Sequence, residues 1–80
     1  MTQTEKMIQE MNGLLAAIGE DKLAIPVEEG GPELELLRRA REEYTKRLRR
    51  RVPKYRLLPS ALIPDMFLVA LRNREAELKT

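Results

Sequence analysis

The chain contains no cysteine, no histidine and no tryptophan, and it has a single serine, Ser60. Without cysteine there is no disulfide framework and no thiolate metal ligand, and without histidine the other usual ligand of zinc and haem is missing. Histidine is also the commonest general base, so Ser60 has no partner for a Ser-His-Asp triad. We therefore expect no catalytic residue, no cofactor, no metal site and no enzyme.

Long apolar runs are missing as well. The longest uninterrupted run is Met66–Leu71, whereas a membrane-spanning helix needs about 20 apolar residues. The first residues are polar and acidic rather than basic and then apolar, which differs from a signal peptide. These features predict a cytoplasmic protein that does not bind membranes.

What is present favours one small helical domain. Eighty residues fit a single domain, 1–80, and one phenylalanine and two tyrosines leave an aliphatic core. Glycine and proline residues cut the chain into three helix-sized pieces. The predicted fold class is all-α, a three-helix small domain with helices at about 4–18, 32–52 and 61–78. Residues 20–31 are predicted to be a connector, with an extended stretch or a short strand before Pro26.

The first predicted helix carries recognisable end signals. Thr2 and Glu5 form a capping-box pattern, and Gly19 is well placed to end the helix. Gly13 lies in the helix interior, where glycine costs about 1 kcal/mol relative to alanine. We interpret Gly13 as a position where another backbone comes close.

The second predicted helix opens with Pro32 as its first residue and ends before Pro53. Three Glu-to-cation pairs have the favourable i, i+4 order: Glu35–Arg39, Glu42–Lys46 and Glu43–Arg47. One stripe of this helix is apolar and should face the core: Leu34, Leu37, Ala40, Tyr44, Leu48 and Val52. Together with residues of the first helix, we expect the protomer core to contain Met7, Met11, Leu14, Leu37 and Tyr44.

The third predicted helix begins either after a Ser60 cap or at Pro64. Its first half is apolar on every side, and such a helix must be covered on every side. Two other short helices do not suffice for that cover. We therefore expect the domain to be oligomeric or bound to another protein chain, either a second copy or a different protein. The predicted protein interface contains Met66, Phe67, Leu68 and Leu71.

Charge is distributed unevenly along the chain, although the net charge is only +2. Residues 1–37 hold two cations and eight acids, a net −6, whereas residues 38–56 hold ten cations and two acids, a net +8. Residues 57–80 are balanced, with three of each sign.

The basic segment allows two interpretations. In the first, its cations contact the phosphates of a nucleic acid, and Tyr55 stacks on an unpaired base. In the second, the segment is a solvated, salt-bridged helix that the acidic N-terminal segment neutralises, within the chain or across a dimer. The candidate phosphate-binding residues are Arg39, Lys46, Arg47, Arg49, Arg50, Arg51, Lys54 and Arg56.

These patterns lead to one functional prediction and two alternatives. The prediction is a small non-catalytic helical interaction protein, an adaptor or regulatory subunit, that acts through protein–protein contacts. The first alternative is a nucleic-acid-binding module that uses residues 38–56. The second alternative is a structural component of a larger assembly.

Overall fold

The computed structural model describes residues 2–23 and 32–80 and contains three α-helices. Helix α1 is Gln3–Ala17, α2 is Glu33–Arg51 and α3 is Met66–Lys79; two 3-10 turns, Pro53–Leu57 and Ser60–Leu62, join α2 to α3. The described residues form no strand, so the predicted small all-α domain is confirmed. The predicted extended stretch or strand before Pro26 lies almost wholly in residues 24–31, outside the described residues.

The predicted Thr2 cap and the predicted Gly19 stop of α1 both form, but within the described residues the Glu5 side chain makes no return bond to Thr2. The Thr2 side chain accepts a hydrogen bond from the Glu5 backbone N–H at 3.1 Å and so caps the helix. At the other end Gly19 adopts a φ of 78°, which glycine tolerates best. The Glu20 N–H donates to the Leu15 carbonyl at 2.8 Å, and the Gly19 N–H donates to the Ala16 carbonyl at 3.2 Å. This pair of bonds is a Schellman motif, and it turns the chain away from the helix.

Helix α2 starts one residue later than predicted, at Glu33, with Pro32 as the flanking residue. Of the three predicted ion pairs, Glu43–Arg47 forms at 3.0 Å. The other two predicted pairs are replaced, because Glu35 and Glu42 both bind Arg38. Arg38 lies three residues after one acid and four before the other, and a guanidinium has enough donors for both.

The start of α3 differs from both sequence predictions. Asp65 is the capping residue, and its Oδ1 accepts hydrogen bonds from the backbone N–H groups of Phe67 at 2.9 Å and Leu68 at 3.2 Å. Ser60 lies instead in the second 3-10 turn, and Pro64 precedes the cap. A carboxylate at this position satisfies two free N–H groups and also favours the positive end of the helix dipole.

The order of the helices in space follows from the contacts between them. Glu33, at the start of α2, accepts hydrogen bonds from Thr4 near the start of α1 and from Arg74 in the second half of α3, the latter at 3.2 Å. At the opposite end, Glu20 just beyond α1 pairs with Arg51, the last residue of α2. Helices α1 and α2 therefore run parallel, and α3 runs antiparallel to both.

The core lies between the three helices, with Tyr44 at its centre. The Tyr44 hydroxyl donates to Asp65 Oδ2 at 3.1 Å, and its ring packs edge-on against Phe67 with centroids 5.9 Å apart. Met11, Leu37 and Tyr44 are buried as predicted. The buried apolar side chains of this core are Ile8, Met11, Leu15, Leu23, Leu37, Ala40, Tyr44, Leu48, Ile63, Leu68 and Leu71.

Two expected core residues of α1 lie elsewhere. Met7 is only partly buried at the edge of the core. Leu14 is exposed, because Leu15 occupies the inward position one turn after Met11. Neighbouring residues on a helix point about 100° apart, so Leu14 and Leu15 cannot share the inward direction.

Replacing Gly13 by alanine is expected to stabilise the protein. Gly13 is exposed in the middle of α1, and a Cβ built there meets no other atom within 4 Å, so no backbone of the described residues approaches it. We expect about 1 kcal/mol of added unfolding free energy, or roughly 4–8 °C in melting temperature, by thermal circular dichroism. Gly19→Ala should instead destabilise, because its φ is 78° and its Cβ would lie 3.2 Å from Arg51 Nη2. A lower melting temperature for Gly13→Ala would contradict this account.

Candidate interaction surfaces

The four residues of the predicted protein interface lie on different sides of α3. Leu68 and Leu71 have no exposed surface and belong to the core of the chain itself, not to the predicted interface. Phe67 is partly buried against that core through its contact with Tyr44. Only Met66 points outward, with 87% of its surface exposed. Positions 68 and 71 are three apart and share the helix side that packs on α2, which accounts for the difference.

The outer face of α3, which we define as Met66, Val69, Ala70 and Asn73, is the side directed away from the core. These residues follow the i, i+3, i+4, i+7 spacing of a single helical stripe. Together with Pro64 and Asp65 they line an open depression of about 370 Å³. Val69 is 48% exposed, and none of the four residues carries a charge. Of this set only Met66 belongs to the predicted interface, although the helical period places Val69, Ala70 and Asn73 on the side opposite Leu68 and Leu71.

Arg47, a predicted phosphate ligand, lies instead inside the fold. It is buried, and its Nε donates to the Asp21 carbonyl at 2.8 Å while Nη2 donates to the Lys22 carbonyl at 3.2 Å. Its Nη1 donates to the carbonyl and to the carboxylate of Glu43, both at 3.0 Å. Arg47 therefore fixes the chain after α1 onto α2, and its guanidinium is not open to a phosphate group.

Two further arginines of the basic segment share one acidic partner. Arg50 Nη2 and Arg51 Nε each lie 2.7 Å from a different carboxylate oxygen of Glu20. Arg51 also donates to the Gly19 carbonyl at 3.0 Å. The acidic N-terminal segment thus neutralises part of the basic helix within the chain, as the second interpretation of the charge pattern predicts.

A basic corner, which we define as Arg49, Lys54 and Arg56, remains at the end of α2. Arg49 donates to the Leu58 carbonyl and Arg56 to the Arg49 carbonyl, both at 2.9 Å. Neither bond neutralises the cation, and within residues 2–23 and 32–80 none of the three has a carboxylate partner. Lys54 Nζ lies 5.9 Å from the ring centroid of Tyr55, which itself packs partly against the core.

The two remaining candidate phosphate ligands, Lys46 and Arg39, lie on α2 before the basic corner, and Lys46 lines a depression together with Arg49. Lys46 is exposed, with Nζ 3.4 Å from Glu43. Arg39 is also exposed and has no carboxylate partner among the described residues. The eight candidates therefore form no single surface: one is buried, two are held by Glu20, and three form the corner.

A second depression, of about 270 Å³, lies between α2 and the second 3-10 turn. Three of its lining residues are cations, but Arg41 is held by Glu75 at 3.0 Å and Lys46 lies near Glu43. Arg49 donates to the Leu58 carbonyl. The carboxylates of Glu75 and Glu43 therefore compensate two of the three cations, and the third, Arg49, belongs to the basic corner. Its lining residues are Arg41, Glu42, Thr45, Lys46, Arg49 and Ser60.

Removing the Glu20 carboxylate is expected to weaken the acid sensitivity of the fold. The hydrogen bond from Arg51, helped by Arg50, holds the pKa of Glu20 below its ordinary value of 4.5. A carboxyl group whose pKa is lowered by folding stabilises above its unfolded pKa, and that stability is lost as the pH falls through the folded pKa. Urea unfolding at pH 7 and pH 3 should show a smaller loss on acidification for Glu20→Gln than for the unaltered chain.

The matched control for this prediction is Glu10→Gln on α1. Glu10 is exposed and makes no ion pair among the described residues. Its replacement should leave the difference between pH 7 and pH 3 unchanged. Equal effects of the two substitutions would show that the Glu20 ion pairs do not contribute.

Within the described residues, no three acidic side chains come together in a group that could hold a metal ion. In the same part of the chain, no helix combines the length and the apolar character needed to cross a membrane. Neither a protein-family model, nor a curated protein, nor a solved structure matches the chain.

Proposed function

We propose that this is a small non-catalytic helical interaction protein, an adaptor or regulatory subunit, that binds another protein chain through the outer face of α3. The observation that supports this most directly is Met66, a large apolar side chain left 87% exposed beside a 370 Å³ depression. Charged residues make up 35% of the sequence, yet the stripe from Met66 to Asn73 contains none. Exposed, uncharged apolar stripes of this kind are typical of interaction sites.

The shape of the outer face favours a helix as its partner element. Val69 and Ala70 are small enough to let another helix approach closely, and Met66 supplies an adaptable apolar contact. Removing apolar surface from water favours binding by about 25 cal/mol per Å². An apolar helix that packs along this stripe would therefore be stabilised by the apolar area that it covers. Because these four residues carry no charge, a charged partner surface would form no ion pair with them.

Site-specific photo-crosslinking tests the proposal. Benzoylphenylalanine is placed at Met66 in one variant and at Leu57 in another, in cells that make the protein. Leu57 is the matched control, because it is apolar and 88% exposed but lies in the first 3-10 turn. We expect a discrete crosslinked protein from position 66 and none from position 57.

A second substitution makes this result specific to the outer face. Adding Val69→Arg to the Met66 probe should abolish the crosslinked product, because a cation then lies in the apolar contact. Equal yields from positions 66 and 57, or an unchanged product with Val69→Arg, would contradict the proposal.

The basic corner supports one other candidate function, contact with nucleic-acid phosphates. Arginine donates two parallel hydrogen bonds to a phosphate group, and each neutralised phosphate releases counterions from the nucleic acid. If Arg49, Lys54 and Arg56 each contact one phosphate, changing all three to glutamine should flatten the log–log salt dependence of DNA or RNA binding by roughly 2–3 units.

The control for this alternative removes the same three charges elsewhere. Lys6, Lys22 and Lys79 are exposed and distant in sequence from the corner, so their replacement by glutamine matches the change in net charge. A selective loss in the corner variant would support phosphate contact. Equal losses in both triple variants, or no binding by the unaltered chain at low salt, would exclude a nucleic-acid site at the corner.

A further inference from the structure

We infer that the depression between α2 and the second 3-10 turn is a binding site for a single phosphate group, carried by free phosphate or by a small phosphate monoester. The depression has a volume of about 270 Å³ and adjoins the basic corner, with Arg49 common to both. It shares no residue with the outer face of α3. The inference therefore goes beyond the proposed protein contact and does not depend on it.

Two of the cations that line the depression keep hydrogen-bond donors that the fold does not use. Glu75 lies 3.0 Å from Arg41 Nε and 3.3 Å from Nη2, so Nη1 of Arg41 has no partner among the described residues. The Lys46 side chain is 72% exposed, and its Nζ lies 3.4 Å from Glu43. A guanidinium has five N–H donors and an ammonium has three, so one carboxylate does not exhaust either group.

Arg49 combines an uncompensated charge with an unused donor. Its Nη2 donates to the Leu58 carbonyl at 2.9 Å, and within residues 2–23 and 32–80 no carboxylate pairs with it. In the same part of the chain its Nε is buried and has no hydrogen-bond partner. A buried donor without a partner is unusual in a folded protein, and a bound ion is one of the ordinary explanations. An anion bound to the Arg49 guanidinium would supply both the missing charge and the missing acceptor.

Ser60 and Arg56 add to these surroundings. Ser60 lines the depression from the 3-10 turn, and Arg72 of α3 binds its carbonyl and so holds the turn in place. Within the described residues the Ser60 hydroxyl makes no hydrogen bond, so it can donate to an anion. Arg56 Nε donates to the Arg49 carbonyl at 2.9 Å, which brings a second uncompensated cation close to the depression.

The arrangement of donors favours a phosphate group over a carboxylate. A carboxylate has two oxygens in one plane, whereas a phosphate monoester has three acceptor oxygens and a charge of about −1.5 to −2 near neutral pH. The donors belong to two elements, α2 and the 3-10 turn, and a tetrahedral group can accept from both. Glu42 also lines the depression, but Arg38 lies 2.8 Å from its carboxylate and compensates its charge.

The volume of the depression limits the ligand. Pockets for drug-sized ligands have about 300–1,000 Å³, so 270 Å³ suits a phosphate with at most a small organic group and not a nucleotide. The lining cations are partly exposed, so water and salt weaken their attraction for an anion. We therefore expect a dissociation constant on the order of 1 mM for inorganic phosphate.

A titration with inorganic phosphate at constant ionic strength, followed by two-dimensional NMR of the ¹⁵N-labelled chain, tests the inference. We expect saturable shifts of the Thr45 and Ser60 amides and of the Arg49 Nε–H. Arg49→Gln should weaken binding about tenfold, since it removes a charge-assisted hydrogen bond. Arg39→Gln is the matched control. It removes the same charge from the same helix at an exposed position outside the depression, and should change the dissociation constant less than about twofold.

A second variant is needed because Arg49 also binds the Leu58 carbonyl and its loss alters the fold nearby. Lys46→Gln removes an exposed cation of the depression whose one ion pair is the contact with Glu43. Its melting temperature should stay unchanged by circular dichroism, whereas phosphate binding should weaken about threefold. Lys6→Gln, on α1, is its control and should leave binding unchanged.

The outcomes separate the site from its alternatives. Shifts that rise linearly without saturation, or equal weakening by Arg49→Gln and Arg39→Gln, would overturn the inference. Glycerol 3-phosphate distinguishes the two sources of the group: tighter binding than that of inorganic phosphate identifies a monoester, and equal or weaker binding identifies free phosphate.

A single-stranded oligothymidylate without a terminal phosphate is the last probe. If it shifts the same amides at lower concentrations than phosphate does, the single-phosphate assignment is wrong and the nucleic-acid candidate at the basic corner gains support. If it does not, the assignment stands. Neither result changes the outcome of the photo-crosslink at Met66, so failure of this inference and failure of the proposed function are distinguishable.

Discussion

Replacing Tyr44 by alanine is expected to remove about 3–5 kcal/mol of the unfolding free energy, the usual cost of deleting a large buried aromatic side chain. Domains are stable by roughly 0.05–0.15 kcal/mol per residue, which gives about 4–12 kcal/mol for eighty residues. This single change should therefore leave the domain close to its unfolding transition at room temperature.

The expected loss is large because Tyr44 joins several elements at once. Its ring has no exposed surface and packs edge-on against Phe67 of α3. Its hydroxyl donates to Asp65, the residue that caps α3 through its other carboxylate oxygen. Truncation would open a cavity between α2 and α3 and also leave the capping carboxylate with one partner fewer.

Urea unfolding followed by circular dichroism measures the effect, and Tyr44→Phe separates its parts. The phenylalanine variant keeps the ring and loses only the hydrogen bond to Asp65, so we expect a cost of about 1–3 kcal/mol. Leu57→Ala is the control, because it changes an apolar side chain that is already exposed and should stay within about 0.5 kcal/mol. A cost below 2 kcal/mol for Tyr44→Ala would mean that the core is not centred on this residue.

Replacing Arg47 by methionine is the second large change, with an expected cost of about 3 kcal/mol. Methionine has a similar length but no donors, so the carbonyls of Asp21 and Lys22 lose their partners. A hydrogen bond that involves a charged group contributes about 1.5–3 kcal/mol, and the substitution removes several of them. The contacts that disappear join the chain after α1 to α2, so the loss should appear as a lower unfolding midpoint of the whole domain.

Two comparisons make the Arg47 prediction specific. Arg39→Met makes the same chemical change at an exposed position and should cost less than about 0.5 kcal/mol. Arg47→Lys keeps the charge but should rescue less than half of the loss. An ammonium group cannot reproduce the planar fork of donors that reaches four acceptors. A full rescue by lysine would show that charge alone matters at this position.

The sequence was sufficient for the helices because helical periodicity repeats over many residues. Tyr44 and Leu37 lie on a stripe several turns long, and one misplaced residue does not change its direction. The start of α3 was not predictable in the same way. Ser60 and Pro64 were the predicted starts, whereas the helix begins after Asp65, whose other carboxylate oxygen accepts a hydrogen bond from Tyr44, a residue distant in sequence.

Which side chains face solvent was harder to predict than where the helices lie, again because tertiary contacts decide it. The apolar residues in the first half of α3 predicted a protein interface there. Which side of the helix faces the core depends on its packing against α2. Leu68 and Leu71, predicted to lie in the interface, therefore face the core instead. Arg47 follows the buried Tyr44 by three residues, yet its charge suggested a solvent position. Its burial depends on the carbonyls of Asp21 and Lys22, which no local pattern reveals.

The ion pairs at the two ends of the bundle also select its topology. Glu20 meets Arg50 and Arg51 at one end, and Glu33 meets Arg74 at the other. If α1 were turned end for end, its apolar stripe would still face the core, but Glu20 would approach Glu33 and Glu35 and meet like charges. Three amphipathic helices can be stacked in several near-equivalent ways, and the division of the chain into acidic and basic thirds makes one of them favourable. The uneven distribution of charge along the chain thus favours one relative orientation of the helices over the alternatives.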